Sequence, residues 1–207
     1  MTRALALTAL LIACGGNETP DGDDASNAEA VVEPTPLRDN GWPSANEGDI
    51  PQALLDGENT GFRRGKTAPN FVLQDQNGND VELYQFYGQF VLLDVFAQWC
   101  GPCNTHAPDG EDFYQDLKSE GFIVIGAMME SDTGTPTVSD AMDWATEHGL
   151  THPVVADNEG VNGNYVTAGY PTYPLLAPDM TVLIEDVWPP DQNVIEQAMA
   201  DWNAANP

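Results

Sequence analysis

An α/β domain is predicted by this sequence: a mixed central sheet flanked by helices, with an N-terminal β-hairpin and a disordered N-terminal tether. Two near-continuous apolar runs, residues 90–96 and 122–127, read as strands buried on both faces. A helical stretch over about 102–118 separates them, and that order makes a parallel βαβ unit with a right-handed crossover. Upstream, Asn77-Gly78 stands between the apolar segments 71–73 and 81–83, a strong hairpin turn signal.

The 207 residues suffice for one domain with a real core plus additional segments. The chain starts Met1-Thr2-Arg3, followed by an apolar run over 4–13 and then Cys14-Gly15-Gly16. A basic start, a short apolar stretch and small residues at the cut have the form of a secretory signal. About ten apolar residues fall short of the roughly 20 that a membrane-spanning helix needs. Leu11-Ile12-Ala13-Cys14 resembles the lipobox of bacterial lipoproteins, which implies a lipid on Cys14 after removal of residues 1–13. Residues 14–33 carry almost no large apolar side chain and are rich in acid, so they are expected to form the tether. Residues 34–64 contain Trp42, Ile50, Leu54, Leu55 and Phe62, but Gly and Pro interrupt every periodic pattern. They are an extension of uncertain order, and the domain proper is expected over 65–207.

Beyond the βαβ unit, Ala141, Met142, Trp144 and Ala145 supply an apolar face for a second helix over 138–148. Val154-Val155-Ala156 is a short strand, and residues 173–177 and 182–187 flank a hairpin turn at Pro178-Asp179-Met180. The last helix begins after Asp191, a fair N-cap, and runs to about Trp202. Asp75, Asn77, Asn79 and Asp80 superficially match a calcium loop, but the glycine is misplaced and the terminal Glu is lacking, so a turn is expected.

The chemistry is concentrated in Trp99-Cys100-Gly101-Pro102-Cys103. The chain has three cysteines, an awkward number outside the cytoplasm, and a lipid on Cys14 would leave the other two as one CxxC. That motif follows a buried strand and opens a helix. Cys100 is thereby set at the helix N-terminus, where free amide hydrogens and the dipole stabilise a thiolate. Cys103 falls in the first turn on nearly the same face, close enough for a disulfide to open and close with little backbone movement. Pro102 suits an early helical position. Cys100 is expected to be the exposed attacking thiol and Cys103 the buried resolving one. Zinc would require four ligands; His106 offers a third, but a second paired knuckle is missing. Haem attachment is excluded by Asn104, which stands where the histidine would be.

Residues 94–103 resemble the active-site strand and turn of the thioredoxin superfamily. Ala68-Pro69-Asn70-Phe71 and the stretch from Val81 to Gly88 resemble the hairpin of its TlpA-like, AhpC/TSA-related branch, and Gly169-Tyr170-Pro171-Thr172 resembles its cis-proline loop. The resemblance covers about residues 65–205 and implies a thioredoxin-like fold with thiol–disulfide oxidoreductase activity. It further implies that Pro171 is cis, that Tyr170 and Thr172 contact substrate, and that Asp94 is a buried proton acceptor for Cys103. Trp99 is expected to shield the disulfide, and Pro108 matches a kink proline. His106 departs from the branch, which commonly has an acidic or apolar residue there.

Two alternatives stay open on residues alone. A peroxiredoxin-type peroxidase has Thr or Ser three residues before its reactive cysteine and Pro seven before; Ala97 and Leu93 occupy those positions. A metal or copper chaperone would use the CxxC to bind metal. Neither a cofactor nor a resident metal is expected for the leading reading. The formal charge of −27, from 6 basic and 33 acidic residues, argues against nucleic acid or anionic lipid headgroups as partners. Expected partners are protein thiols and disulfides, an upstream redox protein, and the membrane through the lipid on Cys14. The location implied is the bacterial cell envelope, facing the periplasm. Gly15, in place of a retaining Asp, points to the outer membrane.

Overall fold

The computed structural model describes residues 35–207. The signal, Cys14 and the tether lie outside the described residues. Among the described residues, seven strands form one sheet in the order β2-β1-β5-β4-β3-β6-β7. The strands are β1 (Val72–Asp75), β2 (Asp80–Glu82), β3 (Phe90–Ala97), β4 (Phe122–Glu130), β5 (Val154–Ala156), β6 (Leu175–Leu176) and β7 (Val182–Ile184). The helices are α1 (Gln52–Leu55), α2 (Gly101–Leu117), α3 (Val138–His148) and α4 (Gln192–Ala205). Strands β3, β4 and β5 are parallel, and both hairpins and the β1–β5 and β3–β6 pairings are antiparallel. The sheet is therefore mixed, as expected.

All eight residues of β3 are buried, because both faces of the strand are covered. Val91, Leu93 and Val95 enter one core with Leu73, Val81, Ile123 and Ile125. Phe90 and Leu92 point the other way, against Phe113 and Leu117 of α2 and Ile195 and Met199 of α4. Phe96, on that same side, packs with Cys103, Ala107 and the α3 residue Trp144, whose ring stacks on it at 4.5 Å. The consecutive crossovers β3-α2-β4 and β4-α3-β5 step in one direction, so a common hand puts α2 and α3 over one face. Cap chemistry fixes the ends of α3: Thr137 and Asp140 make a capping box, and Gly149 closes the helix in the left-handed conformation at φ +68°.

Residues 35–64 help to cover the opposite face. Ile50 and Leu54 are buried in its core, and Leu37, Trp42, Ala45 and Phe62 pack against it. Gly and Pro erase periodicity in this segment, so side chains anchor it one by one. Trp42 donates its indole N–H to Asp75 Oδ2 at 2.7 Å, while Asp75 Oδ1 accepts the Asn77 and Asn79 amides at 2.9 Å each. The Asp75 carboxylate is thus the organiser of the β1–β2 turn that the sequence leads one to expect. Trp42→Ala removes an aromatic anchor and leaves one oxygen of a buried carboxylate without its donor. It should destabilise the protein by about 3 kcal/mol, measured by urea unfolding. Among the described residues, no helix is long and apolar enough to cross a membrane.

Candidate active site

The site is built where β3 ends and α2 begins. The chain leaves the sheet at Ala97, and Cys100 is the N-cap of α2, with Gly101 and Pro102 its first two residues. Pro102 has no amide hydrogen to lose at that position. Cys100 and Cys103 form a disulfide with 5.2 Å between their Cα atoms. The Cys103 amide donates to Cys100 Sγ at 3.2 Å, one of the free amides a helix N-terminus offers. No acidic residue lies in the first turn to oppose the positive helix end. Asn104 donates its side-chain amide to the carbonyls of Gln98 and Cys100, at 2.9 Å each, and ties the turn together. Pro108, inside α2, withholds the amide that would bond to the Asn104 carbonyl.

Cys100 was expected to be exposed, and in the disulfide it is not: it is 4% exposed and Cys103 2%. The cover comes from a loop distant in sequence. The Tyr170–Pro171 peptide is cis, and the Tyr170 carbonyl oxygen lies 3.5 Å from Cys100 Sγ. Thr172 exchanges both backbone hydrogen bonds with Val95, at 2.9 and 3.0 Å, and its hydroxyl donates to the Gly169 carbonyl. Its main chain is therefore spent on holding the loop to β3, whereas Tyr170, a step nearer the cysteines, is not so engaged.

Trp99 stands out from the surface at 57% exposure. Its ring meets Tyr170 edge to face, and its indole N–H donates to Glu130 Oε2 at 3.1 Å. Tyr170 also reaches Glu130, donating to Oε1 at 3.5 Å. Sequence reasoning missed Glu130 because it lies beyond the apolar run of β4. The parallel register that pairs Ala97 with Glu130 carries it to the rim. An acidic residue ending a buried strand beside the β3–α2 turn is the signal that points to it.

Asp94 is 6% exposed and sits on the helix-covered face of β3, between Leu92 and Phe96. Its neighbour on β4 is Gly126, which leaves the carboxyl without a side chain on that flank. Oδ1 has no protein hydrogen-bond partner. Burial pushes its pKa up to about 7. Further along α2, His106 Nδ1 lies 2.6 Å from Asp109 Oδ2, and its ring abuts Trp188 edge to face. Trp188 precedes a second cis proline, Pro189, which the sequence did not signal. Leu93 and Ala97 are both buried and bring no hydroxyl to the site. Among the described residues, no cluster of three or more His, Cys, Asp or Glu side chains is placed to hold a metal ion.

Comparison with known proteins agrees with this geometry. The AhpC/TSA family model matches residues 64–183. The chain is 28% identical to the thioredoxin-like protein YneN of Bacillus subtilis, over 61% of this chain and 72% of that protein. It is 31% identical to the thiol-disulfide oxidoreductase ResA of Bacillus thuringiensis subsp. konkukian, over 58% of this chain and 68% of that one. A crystal structure of a thiol:disulfide interchange protein DsbE from Chlorobium tepidum superposes with a TM-score of 0.58 at 29% identity, covering 67% of this chain and 96% of that one. Relatives and a solved structure named for disulfide exchange thus share this fold, and the chain belongs to the AhpC/TSA family, on its thioredoxin-fold thiol–disulfide oxidoreductase side.

Proposed function

We propose that this oxidoreductase reduces disulfides of exported proteins through Cys100, with Cys103 and Asp94 completing the cycle. The reading is carried by one observation: the Cys100–Cys103 pair caps α2 with an amide donated to Cys100 Sγ, directly beneath the cis-proline loop. In the reduced protein Cys100 is the thiolate, because the helix end stabilises negative charge there. It attacks one sulfur of the substrate disulfide, forming a Cys100–substrate bond and releasing the other substrate sulfur as a thiolate. Cys103 then attacks Cys100 Sγ while its proton passes to Asp94. The Cys100–substrate bond breaks, the Cys100–Cys103 disulfide forms, and the second substrate sulfur leaves. The substrate is reduced by two electrons, and an upstream dithiol must restore the pair.

Tyr170 offers its main chain to an extended substrate segment beside the cysteines, with Thr172 holding the loop, and Trp99 gives that segment an apolar surface. Export, lipidation at Cys14 and a tethered position in the cell envelope are supported by the signal-like residues 1–13, the lipobox form and the acidic stretch that follows. The test is insulin disulfide reduction with dithiothreitol as donor, together with the reduction potential of the Cys100–Cys103 couple. Catalysed precipitation of insulin, with a potential between about −120 and −270 mV, is expected. No acceleration over dithiothreitol alone would overturn the reading.

A further inference from the structure

Asp94 is buried, so a proton it takes from Cys103 needs a way out, and the sheet provides a neighbour for it. Val91 faces Leu176, Leu92 faces Leu175 and Val95 faces Thr172; the same count sets Asp94 opposite Tyr173. Val95 bonds with Thr172, and the Leu93 amide with the Pro174 carbonyl. Asp94 and Tyr173 are therefore a non-hydrogen-bonded pair, the kind whose side chains come closest, at about 4.5 Å between Cα atoms. The Tyr173 side chain is fully buried in the α2–α4 core, and its hydroxyl, like Asp94 Oδ1, has no protein partner. Two orphaned oxygens on adjacent side chains are a costly arrangement unless water bridges them.

The outer side of the phenol leads to the surface. Its ring is stacked parallel to Trp188 at 6.3 Å, and Trp188 in turn meets His106, which is paired with Asp109. We propose that the Tyr173 hydroxyl links Asp94, through bridging water, to the Asp109–His106 pair on α2, positioning the Asp94 carboxyl and carrying its proton outward. This rests on the role given to Asp94 above. In the outward step protonated Asp94 gives its proton to the bridging water, which passes one to the Tyr173 oxygen while the phenol's own proton leaves through water towards Asp109. The phenol ends neutral, Asp94 ends as carboxylate, and the surface pair holds one more proton. Burial, and then the charges of Asp94 on β3, Asp109 on α2 and Asp186 after β7, push the Tyr173 pKa well up, so it remains a donor at neutral pH. Gly126 of β4 and Ile195 and Met199 of α4 bring no charge to the cluster.

The test follows the pH dependence of the second step, release of substrate from a Cys100 mixed disulfide, in full-length wild type, Y173F and D94N. Wild type should accelerate through a midpoint near that of Asp94, and D94N should lose the inflection. In Y173F the midpoint should rise by about one pH unit, because the water that donates to the carboxylate has lost its anchor. A core role alone would lower thermal stability without moving the midpoint. A Y173F midpoint equal to wild type, with D94N flat, overturns the assignment of Tyr173 and leaves Asp94 standing. A D94N profile with the wild-type inflection overturns Asp94 itself. A second readout needs no Tyr173 variant: the Tyr173 Cζ resonance should titrate with the Asp94 midpoint in wild type and stay flat in D94N. A flat signal in wild type also overturns the link.

Discussion

Cys100→Ser is expected to reduce insulin-disulfide reduction to the uncatalysed rate, whereas Cys103→Ser should complete one attack and then stall as a covalent adduct. The two cysteines differ in what surrounds them. Cys100 caps the helix and accepts the Cys103 amide, so its thiolate has a stabilising partner that Cys103 lacks. A serine hydroxyl at position 100 has no comparable anionic form near neutral pH and cannot attack a disulfide. A serine at position 103 cannot release the mixed disulfide, which should accumulate as a mass shift equal to one substrate chain. Intact-mass spectrometry on the two variants decides the order of attack. Adducts on Cys100→Ser, with none on Cys103→Ser, would reverse the roles of the cysteines.

Asp94→Asn should make the protein more stable at pH 8 while slowing release of the mixed disulfide. The native carboxyl has its pKa raised from 3.8 to about 7, with burial as the cause. Between those values the folded state holds a proton that the unfolded chain has lost. Stability is therefore full below about pH 4 and falls as pH rises through 7. About three pH units at 1.36 kcal/mol each amount to about 4 kcal/mol at pH 8, an upper figure for the gain on neutralising the group. Urea unfolding at pH 5 and pH 8 measures it: the variant's advantage should be large at pH 8 and shrink by pH 5. Equal advantages at the two pH values would show that the pKa of Asp94 is not raised by the fold. The gain in stability and the loss of resolution have one cause, since an acceptor of this kind is a carboxylate held where it is costly to ionise.

The chemistry was legible in the linear chain because it is local. A buried strand, a two-residue turn and a helix start compress the cysteines, Pro102 and the helix end into a few consecutive positions. Apolar runs and turn signals likewise located β3, β4, α2 and α3 and both hairpins, since burial on both faces leaves a continuous run and a hairpin leaves its glycine or aspartate. The anchoring of residues 35–64 was not legible: Trp42 finds Asp75 across 33 residues, and no periodicity records such a contact.

Everything that depends on register belongs to the folded molecule. Glu130 joins Trp99 and Tyr170 because parallel β3 and β4 end side by side, and Tyr173 stands opposite Asp94 because the antiparallel β3–β6 register, continued to Thr172, sets them across from one another. The burial of Cys100 has the same origin, a loop 70 residues away that lays a carbonyl on its sulfur. Strand pairing converts sequence distance into contact. The CxxC could therefore be read from its own residues, while its rim and its cover had to be read from the sheet.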